Sequence, residues 1–234
     1  MPGKISSIFL DDGGVLNDNN LRGPEWLRLI GEFMPVRMGG TVDQWARANQ
    51  KVFPEVWENI QARLPEFVSY RDFERSYILN WMGGMCAHVG VATPTEDDAE
   101  ELYGELSVYV SEHADSAIAG AADAVLKLHS LGYTLYTASG TSSRELRGIL
   151  GKMSIASVFS GLYGPDLIDR VKYGPAFYHS IFKDADIDPG NALVIDSDSE
   201  CCQWASEAGA DAIRVDPGGQ GDVTSLHLLV KQLA

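Results

Sequence analysis

From Ile5 to Leu10 the chain reads ISSIFL, an apolar run whose length and β-branched content predict a short strand. The period then changes. TVDQWARANQKVFPEVWENIQARL carries Val42, Trp45, Val52, Val56, Trp57, Ile60 and Leu64 at roughly helical spacing. It opens on Thr41 and Gln44, the spacing of a capping box, and Pro54 predicts a kink or a break within it. SYRDFERSYILNWMGGMCAHVG continues the pattern with Phe73, Tyr77, Trp81 and Met85. TPTEDDAEELYGELSVYVSEH begins at Thr95 with acids in its first turn, followed by Ala99, Leu102, Leu106, Tyr109 and Val110. No strand signal stands out between residues 17 and 114.

From residue 115 the pattern alternates. A helix ending at Gly132 leads into the strand YTLYTA, and the helix SSRELRGILGKM follows. The stretch FSGLYGPDLIDRVKYGP reads as irregular, with a helix near 175–183 behind it. The strand NALVID, the helix SECCQWASEAGA, the strand DAIRV and a last helix from 222 complete the chain. Strands separated by helices of this length indicate parallel βαβ units. The expected fold is therefore α/β: a Rossmann-like parallel sheet with helices on both faces. The core spans 1–16 and 115–234, and an all-helical segment, 17–114, is inserted after the first strand.

Composition narrows the possible partners. At 234 residues the chain can bury a proper core, and its net charge of −15 argues against a nucleic-acid backbone or an anionic membrane surface as partner. Cys86, Cys201 and Cys202 form no even framework, which favours a reducing compartment. No signal-peptide pattern or long apolar run is present in the sequence, so a soluble, cytoplasmic protein is expected.

In open α/β sheets, ligands bind outside the carboxyl ends of the strands. Strand one ends in Asp11, Asp12 and Gly13; YTLYTASG ends in Thr137 and Ser139; ALVIDSDSE ends in Asp196, with Asp198 and Glu200 behind it. Lys172 lies in RVKYGPAFY, a loop opening onto a helix. One sheet edge would thus collect carboxylates, hydroxyls and a lysine, which suits a hard cation held by oxygens together with a phosphate. Asp12 alternates away from Asp11 and is expected to support the turn.

These motifs, in this order, resemble the haloacid dehalogenase superfamily. FLDDGGVL matches its first motif, LYTAS its second at Thr137, KYGPAFY its third at Lys172, and VIDSDSE its fourth at Asp196 and Glu200. The helical insertion resembles the family's helical cap, which would set substrate choice. The resemblance implies a Mg²⁺-dependent hydrolase, most simply a phosphatase of a small phosphorylated metabolite. Asp11 would be the nucleophile and Lys172 would hold it and the phosphoryl oxygens. Thr137 would donate to the phosphoryl group, assisted by backbone N–H groups near Ser139 and Gly140. Mg²⁺ would bridge Asp11, the carbonyl of Gly13 and Asp196.

The sequence departs from that pattern at Gly13. The resembling phosphatases carry an acid–base Asp there, worth about 10²–10⁴-fold in rate. The metal seat survives because it uses a backbone carbonyl, whereas turnover should suffer most with poor leaving groups. Two other readings stay open: a non-catalytic binding protein, and a metal-independent 2-haloacid dehalogenase, a branch that usually has a bulky aromatic at this position. The oligomeric state is not legible in the sequence.

Overall fold

A computed structural model describes residues 5–233. The chain divides into two compact units, residues 1–19 with 116–234 and residues 20–115.

The first unit is built on five parallel strands: β1 (Ser7–Leu10), β2 (Thr134–Ala138), β3 (Phe159–Tyr163), β4 (Ala192–Asp196) and β5 (Asp211–Arg214), in the order β3-β2-β1-β4-β5. Its helices are α5 (Ala121–Ser130), α6 (Ser143–Lys152), α7 (Pro175–Asp184), α8 (Ser199–Glu207) and α9 (Leu226–Leu233). Side-chain alternation along β1 divides the core in two. Ile8 and Leu10 pack with Leu135, Leu193 and Ile195 against α5 and α9, through Val125, Leu128, Leu226 and Leu229. Phe9 faces the other way and packs with Val194 against α7 and α8, through Phe177, Ile181, Phe182 and Ala205. The sheet is therefore covered by helices on both faces, as the fold class requires. β1 is the central strand, pairing with β2 and β4 at once, so its last residue is delivered to the middle of the sheet's carboxyl edge.

Two expectations need correction here. Residues 159–163, read as irregular, form the edge strand β3. Its Ser160 and Gly161 interrupt the apolar alternation, and a register irregularity at Leu135/Tyr136 accompanies its pairing to β2. The last helix begins at Leu226, because Val223 bridges to Val215 before the chain turns helical.

The second unit contains α1, which starts at the unit boundary (Asn19–Met38), α2 (Val42–Gln61), α3 (Tyr70–Val89) and α4 (Glu96–His113). Thr41 and Gln44 form the expected reciprocal capping box, and Thr95 caps α4 ahead of Glu96, Asp97 and Asp98. Helix α2 is not broken at Pro54. It runs through the proline because Trp45, Ala48, Val52 and Ile60 are buried on one face, and that packing outweighs a lost backbone bond. Trp45 and Trp81 are buried; their indole N–H groups donate to the Gly39 carbonyl at 2.7 Å and to Asn49 Oδ1 at 2.8 Å. Arg28 is held by Glu25 and Glu32, and Arg37 by Glu105, within this unit.

Candidate active site

Asp11 directly follows β1, and its N–H donates to the Ile195 carbonyl at 2.9 Å. Leu10 and Ile195 are register partners, which sets Asp11 beside Asp196 at the ends of adjacent strands. Lys172 reaches this edge from the loop between β3 and α7, a loop closed by Gly174 and by Pro175 at the first turn of α7. Its Nζ donates to Asp11 Oδ1 at 2.9 Å and to Asp196 Oδ2 at 2.7 Å. One ammonium therefore serves two buried carboxylates.

The electrostatics follow from that count. Burial pushes the pKa of Asp11 up to about 7, and the neighbouring Asp196 charge adds to the rise, while Lys172 opposes it without cancelling it. For Lys172, burial works against the charged form, but Asp11 and Asp196 together outweigh it and hold the ammonium well above its ordinary pKa. The remaining Asp196 oxygen accepts the Asp198 N–H at 2.9 Å. Asp198 in turn caps α8, accepting from the N–H of Glu200 at 2.7 Å.

The loop after β2 stands on the other side of β1. Thr137 is fully buried and its hydroxyl donates to the Tyr163 carbonyl at 3.1 Å, a bond between β2 and β3. The Ser139 hydroxyl accepts the Thr141 N–H at 3.1 Å, which leaves its own hydrogen free of that bond. A Cβ on Gly140 would lie 3.8 Å from Lys172 Cδ, so this loop reaches the lysine. The structure thus brings Asp11, Lys172, Asp196, Ser139 and Gly140 to one edge, while the Thr137 hydroxyl is spent within the sheet.

Three features were not read from the sequence. Ser197 Oγ donates to the Gly13 carbonyl at 2.8 Å. Asp12 joins a buried network, taking Asn17 Nδ2 at 2.5 Å and Thr141 Oγ1 at 3.2 Å. Tyr178 Oη is buried close to the charges of Lys172 and Asp196 and, among the described residues, is a buried side-chain polar atom without a hydrogen-bond partner. A Lys–x₅–Tyr spacing is the only trace of the last in the sequence.

The oxygen donors fit a hard cation. Asp11, Asp196 and the Gly13 carbonyl are the oxygen ligands that Mg²⁺ prefers. The carbonyl keeps a second lone pair beside its bond from Ser197. Two carboxylates against one ammonium also leave a negative charge for a cation to balance. Among the described residues no cluster of three or more His, Cys, Asp or Glu side chains is arranged for a metal, so such a seat depends on that carbonyl and on water or substrate oxygens.

A family model described as haloacid dehalogenase-like hydrolase matches residues 6–209. No curated protein matches the sequence. Among solved structures, the putative HAD-hydrolase YfnB from Bacillus subtilis, bound to magnesium, is 16% identical, with 99% of each chain covered and a TM-score of 0.68. The defluorinating L-2-haloacid dehalogenase Rha0230 is 12% identical over 100% of this chain and 99% of that one, at a TM-score of 0.67. The L-2-haloacid dehalogenase from Xanthobacter autotrophicus is 14% identical over 92% and 79%, at 0.59. At such identities the likeness speaks for the fold alone. Among the described residues no helix is long and apolar enough to cross a membrane.

Proposed function

Because the chain belongs to the haloacid dehalogenase-like hydrolases, we propose that it is a Mg²⁺-dependent phosphatase acting on a small phosphorylated metabolite, with Asp11 as nucleophile. The observation that carries this reading is the single Lys172 ammonium bound to two buried carboxylates, Asp11 and Asp196. With both acids ionised, one negative charge is uncompensated. A cation bound there would balance that charge and assist phosphoryl transfer.

Asp11, Asp196 and the Gly13 carbonyl would hold the ion, which when bound offsets the repulsion between carboxylate and phosphate. Lys172 orients Asp11 and meets the phosphoryl oxygens as a point charge. The Ser139 hydroxyl and the N–H groups around Gly140 supply donors to the phosphoryl group, while Thr137 fixes the end of β2 against β3. Asp11 attacks phosphorus and the bond to the substrate oxygen breaks, leaving an aspartyl-phosphate. Gly13 has no proton to give, so the departing oxygen takes one from water. Water then attacks phosphorus, the bond to Asp11 breaks, and inorganic phosphate leaves with the carboxylate restored. Substrate choice is assigned to the helical residues 17–114, acting as the cap.

A panel of phosphate esters, p-nitrophenyl phosphate included, tests the reading with and without Mg²⁺. Turnover that needs Mg²⁺ and disappears in Asp11→Asn is expected. No turnover of any ester would leave a binding protein in its place, and metal-free halide release from a 2-haloacid would replace it with a dehalogenase.

A further inference from the structure

Gly13 has no side chain where the resembling phosphatases keep an acid, but the space is not empty. A Cβ built on Gly13 would meet Asn19 Oδ1 at 3.0 Å and Asn19 Nδ2 at 3.3 Å. The chain brings the amide there by doubling back. The N–H of Gly14 donates to the Asn17 carbonyl at 2.7 Å, Gly13 and Asn17 form a parallel bridge, and the N–H of Asp18 donates to the Ser116 carbonyl at 2.7 Å. Asn19 follows immediately, as the first residue of α1, and is exposed.

We propose that the Asn19 carboxamide stands in for the missing residue-13 side chain and serves the leaving-group oxygen as a hydrogen-bond donor. The inference rests on the hydrolase reading above and extends it to the kind of substrate. An amide gives no proton: it stabilises the negative charge that builds on the departing oxygen as the P–O bond breaks, and water supplies the proton afterwards. Such a site favours leaving groups of low basicity, such as aryl, acyl or anomeric sugar oxygens, over simple alkoxides. A side chain at residue 13 would make the Asn19 amide give way by a few tenths of an ångström.

The test compares p-nitrophenyl phosphate with a simple alkyl phosphate, in the wild type and in Asn19→Ala and Asn19→Asp, with Mg²⁺ present. Asn19→Ala should lower kcat on the alkyl ester by about 10²-fold, the cost of one transition-state donor, and change p-nitrophenyl phosphate far less. Asn19→Asp places an acid at that spot and should raise alkyl-ester turnover by at least ~10²-fold, with a new alkaline limb in its pH profile. Gly13→Asp should gain alkyl-ester activity more fully when combined with Asn19→Ala, which clears its place. Equal changes on both esters, or none, would overturn the inference while leaving the hydrolase reading intact. An inactive wild type would overturn both.

Discussion

Asn17 donates its side-chain amide to Asp12 at 2.5 Å, with both side chains buried. The same carboxylate takes the Thr141 hydroxyl at 3.2 Å, and the Ser116 hydroxyl donates to Asn17 Oδ1 at 3.0 Å. Asp12 therefore supports more than its own turn: it ties the segment after β1 to the loop after β2 and to residue 116, where the chain re-enters the α/β unit. Asp12→Asn replaces one acceptor with a donor that faces another donor. It should cost about 1–3 kcal/mol, the price of an unsatisfied buried polar group, read as a lower urea midpoint. An unchanged midpoint would show that the network contributes nothing net.

The raised pKa of Asp11 makes a prediction about pH. An acid whose folded pKa lies near 7, against an ordinary 3.8, binds its proton more tightly folded than unfolded. Its contribution favours the folded state at low pH and is lost as pH rises from about 4 through 7. Lys172, raised from an already alkaline value, adds nothing in that window. Without divalent cations, the stability of the wild type should fall relative to Asp11→Asn between pH 4 and 7. Mg²⁺, which favours the ionised carboxylate, should flatten that difference. Denaturation curves at both ends of the window, with and without Mg²⁺, measure it, and a parallel response of the two proteins would refute it.

Lys172 is the cation that both site carboxylates share, so its removal leaves two acids facing each other. Lys172→Met should abolish turnover and lower stability by about 3–5 kcal/mol at pH 8, as expected when one partner of a buried ion pair is deleted. At pH 5 the loss should be smaller, because Asp11, with a pKa near 7, already carries a proton there and the two acids no longer repel. Added Mg²⁺ should return part of the stability without restoring activity. Equal losses at the two pH values would argue that the lysine acts through packing of its stem, not charge.

The legible parts of the fold and site share a property: each is decided by residues close in sequence. β1, β2 and β4 are apolar runs bounded by polar residues, and Asp11 and Asp196 mark where two of them stop. Capping boxes and first-turn acids locate α2 and α4 in the same way. β3 is not legible in the sequence because an edge strand that is half-exposed need not alternate cleanly. Thr137 reads from sequence either as a phosphate donor or as one more β-branched strand residue, and its partner across the sheet, the Tyr163 carbonyl, lies 26 residues away. Ser197 over the Gly13 carbonyl and Asn19 beside Gly13 depend on how loops fold back, which no local spacing encodes.

Gly14 is fixed by two independent constraints, and they can be separated. Its φ of +76° lies in the left-handed region, where a side chain costs roughly 1–2 kcal/mol. A Cβ there would also stand 2.6 Å from Ser197 Oγ and 2.7 Å from Ser197 Cβ, closer than atoms approach. The collision displaces the hydroxyl that donates to the Gly13 carbonyl, so strain at position 14 reaches one proposed ligand of the cation. Gly14→Ala should therefore lose stability by more than the left-handed term alone and weaken Mg²⁺ binding measured by calorimetry. Adding Ser197→Gly removes the clash but not the backbone strain. The double variant should recover part of the stability and stop short of the wild type by about 1–2 kcal/mol. No recovery at all would mean that Ser197 is not what Gly14 makes room for.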